Sequence, residues 1–102
     1  MLDQIIAKKR QVVAEHKELY PTKLLEKSLY FETPVVSLKE YLAREDKIGI
    51  IAEIKRRSPS KGLLHPNISV ERLSVAYMQA GASALSVLTE GHFFDGDAED
   101  LR

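Results

Sequence analysis

Three features of residues 48–102 predict an α/β fold. "IGIIAEI" (48–54) is a short β-branched run of the kind found in strands covered on both faces. A helical pattern follows, with Val70, Leu73, Ala76, Tyr77 and Ala80 on one face, Ser69 placed to cap its start and Gly81 to end it. A second apolar run, "SALSVLT" (83–89), completes a strand–helix–strand unit. Such a unit implies parallel strands joined by a right-handed crossover.

The residues before this unit read as helical. Leu2, Ile5, Ile6, Val12, Val13 and Leu19 fall within one arc of a helix that ends at Pro21, with Lys9 and His16 interrupting the stripe. Lys9 is expected to extend its stem along the apolar arc and His16 to lie at its edge. Thr22 starts a second short helix through "KLLEKSLYF". Ser37 and Glu40 have S-x-x-E capping-box spacing at the head of "SLKEYLARE", and Pro34 discourages helix just upstream. The expected division is therefore a helical extension over 1–47 and a βαβ portion over 48–102. Asp97 is placed to cap a further helix beginning "AEDLR". Two parallel strands cannot cover their own edges, so the pattern predicts the first portion of a longer βα-repeating protein. A self-contained small α/β domain is the alternative.

Composition narrows the function classes. Of 102 residues, 44% are hydrophobic and 29% charged, a globular profile with one core. Fifteen basic residues balance fifteen acidic ones, so there is no global attraction to nucleic acid or to an anionic membrane. Without cysteine there is neither a disulfide framework nor a thiolate metal site, which points to a reducing compartment. The opening residues hold no uninterrupted signal-peptide core or membrane span, and a cytoplasmic location is expected. "NIS" at 67–69 matches a glycosylation acceptor only formally.

The candidate chemistry lies where the strands end. Alternation puts Ile51, Glu53 and Lys55 on one side of the first strand and Ile50, Ala52 and Ile54 on the other. One face thus turns from apolar to ionised at its carboxyl end, where parallel α/β folds bind substrates. A Glu and a Lys side by side can hold each other charged and exchange protons with substrate; an ordinary surface ion pair is the plainer alternative. The following loop, "RRSPSKG" (56–62), offers Arg56, Arg57, Ser58 and Lys61 to an anion but lacks P-loop spacing. After the second strand, "LTEGHFFDGD" (88–97) puts Phe93 and Phe94 among Glu90, His92, Asp95 and Asp97. His92, Asp95 and Asp97 can be drawn as metal ligands, but no pair has helix spacing and no metal is expected.

"IIAEIKRRSPSKG" (50–62) and "YMQAGASALSVLTEGHFFDGD" (77–97) together resemble the indole-3-glycerol phosphate synthase family. The E-x-K-x-x-S-P-S-x-G and S-V-L-T-E-x-x-x-F-x-G strings at this separation form a specific joint signal, and the amino-terminal helices also fit. The resemblance implies the amino-terminal part of a (β/α)8 TIM barrel of about 250 residues, with extra helices before the first strand. It implies ring closure of 1-(2-carboxyphenylamino)-1-deoxyribulose 5-phosphate, a phosphorylated anthranilate derivative, with loss of carbon dioxide and water and no cofactor. It further implies that Glu53 and Lys55 are catalytic, that Ser58 hydrogen-bonds substrate, and that Pro59 and Phe94 line the pocket for the anthranilate ring. The family's other acid–base residues and phosphate-binding loops belong to later strands, so the remaining barrel is needed for a complete site and this chain alone is expected to be inactive. The alternative function is a non-catalytic phosphate- or anion-binding α/β module built on Arg56, Arg57, Ser58 and Lys61.

Overall fold

The structure is a computed structural model, which describes residues 1–65 and 67–102. These residues form two compact units, Met1–Val36 and Ser37–Arg102.

The first unit is helical. Helix α1 spans Leu2–Leu19, with Asp3 in its first turn and His16 and Lys17 in its last, charges that suit the helix dipole. His16 lies edge-on to Tyr20, ring centroids 6.1 Å apart, and its carbonyl accepts the Tyr20 N–H. Lys9 borders a shallow groove with Ile6 and Val13, consistent with a stem lying along the apolar arc. Helix α2 is a single turn, Thr22–Leu25, shorter than the stretch predicted through Phe31. Beyond it the Lys27, Ser28 and Phe31 amides each reach back three residues, so the backbone continues as turns.

The second unit contains the sheet. Helix α3, Leu38–Ala43, starts where predicted, with Ser37 Oγ accepting the Glu40 N–H at 3.2 Å as one half of the expected capping box. Strand β1 is Ile51–Ile54, later than the predicted start at Ile48, because Gly49 adopts the left-handed conformation (φ 68°). Strands β2 (Arg57–Ser58) and β3 (Gly62–Leu63) pair antiparallel, so the segment expected to be a loop is a miniature hairpin. Gly62, at φ 66°, supplies the left-handed residue on its return side. Helix α4, Val70–Gln79, is capped by Ser69 Oγ accepting from Arg72 N and stopped by Gly81 at φ 99°.

Strand β4, Ala84–Val87, pairs parallel with β1 in the register Ile51–Ala84, Ala52–Leu85, Glu53–Ser86 and Ile54–Val87. Backbone bonds carry the ladder past both ends, from Ile48 N to Gly81 O and from Leu88 N to Ile54 O. Between them Ser83, 6% exposed, accepts the Gly49 N–H on its Oγ at 3.0 Å while its own amide donates to Ile50 O. A buried hydroxyl thus satisfies the amide that the left-handed Gly49 takes out of the ladder.

Helix α4 packs on β1 and β4. Ile54, at 3% exposure, is the buried hydrophobic residue, whereas Ile51 on the opposite face is 47% exposed. The two-faced cover expected of β1 is therefore present on one side only among the described residues. The inward side of α4 also differs from prediction. Val70, Leu73 and Tyr77 are half-buried, but Ala76 and Ala80 are exposed and Ser74 takes an inner position. Ser74 can do so because its hydroxyl donates to Val70 O at 2.6 Å, which leaves no unpaired polar atom.

Helix α5, Gly91–Phe94, and a 3-10 turn, Ala98–Leu101, close the unit. Asp97 caps the turn as predicted, in a reciprocal box with Asp100. Between them Gly96 runs against the backbone of Leu88 and Thr89; a Cβ built on it would lie 1.9 Å from Leu88 O.

Candidate functional site

Pleating and register bring the site together. Glu53 and Lys55 are two residues apart at the carboxyl end of β1, so both leave the same face. Their tips converge: Lys55 Nζ lies 3.4 Å from Glu53 Oε1. Ser86, opposite Glu53 in the parallel register, donates its hydroxyl to Glu53 Oε2 at 3.1 Å. Each carboxylate oxygen therefore has a partner, one cationic and one neutral, and the group is held in one orientation. Both side chains stay wet enough to meet a ligand, with Lys55 37% and Glu53 46% exposed. They border a concavity of about 450 Å³ whose wall includes Leu64, His65, Leu73 and Tyr77. An ion pair at that exposure adds at most about 1 kcal/mol to stability, so its geometry matters more than its strength.

The hairpin after β1 holds Ser58 and Pro59. Ser58 is 6% exposed, and its Oγ accepts the Lys61 N–H at 3.1 Å and lies 3.4 Å from Ser60 Oγ. Its oxygen thus helps to close the turn, and its hydroxyl shares the Ser60 contact as donor or acceptor. Pro59, at the turn, is half-buried. Helix α5, which bears the half-buried Phe94, packs against β2. Phe93, also half-buried, meets His92 edge-on with centroids 4.7 Å apart. Glu90, met in the sequence as one of several acids in this segment, is the N-cap of α5, and its carboxylate accepts from the amides of His92, Phe93 and Phe94. Among the described residues no group of three or more His, Asp and Glu side chains is gathered where it could hold a metal ion.

The basic loop differs from expectation in a way that bears on function. Arg56 is half-buried, not an exposed cation awaiting an anion, and forms a fork with Asp100, Nη2 donating to Oδ1 at 2.9 Å and Nη1 to Oδ2. Nη1 also donates to the Asp95 carbonyl at 3.3 Å. These bonds hold the Asp100 carboxyl below the usual carboxylate range, against the upward push of burial, and raise the Arg56 guanidinium. With Arg56 engaged internally, the anion-binding set predicted from the sequence loses that residue and keeps Arg57, Ser58 and Lys61. Residues 44 apart make this pair, so no local spacing announces it; the only sequence signal is an acid in the first turn of a capped segment.

Compared with known proteins, residues 2–102 match the family described as "Indole-3-glycerol phosphate synthase". Curated relatives named indole-3-glycerol phosphate synthase include one from Bacteroides thetaiotaomicron, 42% identical over all of this chain and 39% of the relative. One from Campylobacter curvus is 41% identical over 97% of this chain and 39% of the relative. One from Bacillus cereus is 38% identical over 100% of this chain and 37% of the relative. The chain thus spans about two-fifths of the length of the curated relatives it matches.

Proposed function

Since the chain belongs to the indole-3-glycerol phosphate synthase family, we propose that it supplies the first strand, first loop and second strand of a (β/α)8 barrel performing that synthesis. In this reading residues 1–47 are the helical extension and 48–102 the opening of the barrel. Exposed Ile50, Ile51 and Leu85 support it, since a parallel sheet of such strands is ordinarily covered on both faces. The substrate is a phosphorylated anthranilate derivative, 1-(2-carboxyphenylamino)-1-deoxyribulose 5-phosphate. The setting is the cytoplasm, in keeping with a chain without cysteine; among the described residues no helix is long and apolar enough to cross a membrane.

The observation that carries the proposal is the convergence of Glu53 and Lys55 at the carboxyl end of β1. Ring closure needs a proton donor to make the ketone carbon electrophilic, a base, and a wall that holds the aromatic ring against that carbon. Lys55 meets the anionic groups of the substrate and delivers a proton. Glu53, fixed by Ser86, orients Lys55 and takes part in proton transfer. Ser58 donates its hydroxyl, and Pro59 and Phe94 form the apolar wall. Closing the barrel over the pair excludes water and strengthens Lys55 against developing negative charge.

The test joins these 102 residues to the part of the Bacteroides thetaiotaomicron relative that lies beyond the match and measures indole-3-glycerol phosphate formation. The chimera is expected to turn over and the 102-residue chain alone to be silent. Glu53→Gln and Lys55→Met in the chimera should each lower kcat/KM by about 100-fold or more. Synthesis by the chain alone, or variants as active as the parent chimera, would refute the proposal.

A further inference from the structure

Arg56 joins three pieces of chain. Its carbonyl accepts the amides of Leu64 at 2.8 Å and His65 at 3.1 Å, which ties the far side of the β2–β3 hairpin to the end of β1. Its guanidinium takes Asp100 in the 3-10 turn and the Asp95 carbonyl just beyond α5. The Arg56 and Asp100 side chains are 20% and 13% exposed, whereas the other three ion pairs among the described residues are built from side chains 37–75% exposed. A forked pair of this kind fixes both distance and angle, which a single ammonium contact cannot do. Lys55 is the residue before this junction, and Phe94 is the residue before Asp95.

We propose that the Arg56–Asp100 fork is a positioning device that sets the spacing between Lys55 and the Phe94 wall, so that the substrate's ring and its reacting carbon are held together. This rests on the assignment of Lys55 and Phe94 to the substrate site. Neither Arg56 nor Asp100 touches substrate; both act through the segments they tie. The amino-acid choice follows from that role. Asparagine at 100 keeps the shape but removes the charge, and lysine at 56 keeps the charge but loses the fork.

The experiment uses the active chimera and its Asp100→Asn, Arg56→Lys and exchanged Arg56→Asp/Asp100→Arg variants. Thermal unfolding and steady-state kinetics are recorded for each at a temperature below all the transitions. Asp100→Asn is expected to fold and to lose about 10-fold to 100-fold in kcat/KM, as misplacement by about 1 Å does. Much of that loss should lie in kcat, since both substrate-binding segments remain present. Arg56→Lys should lose a similar factor, and the exchanged pair should recover part of it. Folded single variants whose kcat and KM lie within twofold of the parent would overturn the inference, leaving the fork as a brace for the fold alone. Failure of both single variants to fold would overturn it equally, since the fork would then hold the fold and not the spacing. These outcomes are separable from the functional proposal, because Glu53→Gln and Lys55→Met in the same chimera test that proposal independently.

Discussion

The two compact units obey different rules. Residues 1–36 form by local logic: a long helix with suitable end charges, one further turn, and no buried residue in either helix. Residues 37–102 depend on partners far away in the chain. Ser83 serves Gly49, Ser86 serves Glu53, and Asp100 serves Arg56. Among the described residues only the second unit has buried ones, Ile54, Ser58 and Ser83. The proposed chemistry sits where long-range constraint is densest, because a catalytic pair would have to be held and a helical surface would not.

Four substitutions probe this contrast through urea unfolding and amide exchange of the chain. The largest effect is expected for Gly96→Ala. Its Cβ would meet backbone, not a flexible side chain, so the cost should be about 3 kcal/mol or more, with protection lost across 88–101. Ser83→Ala comes next, at about 1–3 kcal/mol, because it leaves the Gly49 amide without its acceptor.

Asp100→Asn follows, at about 1 kcal/mol near neutral pH. Its signature is in the pH profile. The folded carboxyl titrates below its ordinary value of 3.8, so its stabilisation is complete above that value and is lost as pH falls through and below it. The variant should flatten this acid limb, and an unchanged limb would show that Asp100 contributes little. Val13→Ser in α1 should be smallest, within about 0.5 kcal/mol, and should leave exchange in 37–102 unaltered. A large effect there would break the distinction between the units.

Much of the framework was legible in the sequence because it is written in nearest-neighbour terms. Alternation put Glu53 and Lys55 on one face, Ser37, Ser69 and Asp97 marked helix starts, and Gly81 marked a stop. What escaped was set by tertiary partners. The hairpin within 57–63 uses strands of two residues, too short for a period to register. Gly49 delays β1 through a left-handed turn whose exposed amide is satisfied by Ser83, which local pattern cannot foresee. The capping role of Glu90, whose oxygens meet three successive amides, was not foreseen. Arg56 resembled an anion ligand until its acid partner came from the 3-10 turn.

The sheet among the described residues has two strands only, so β1 and β4 each have a lateral margin where main-chain donors and acceptors face no neighbour. Such margins are adhesive, and with apolar side chains bared beside them they favour strand addition from any copy at hand. Self-association of the 102-residue polypeptide should therefore climb with concentration, and dilution should be the condition that keeps it dispersed.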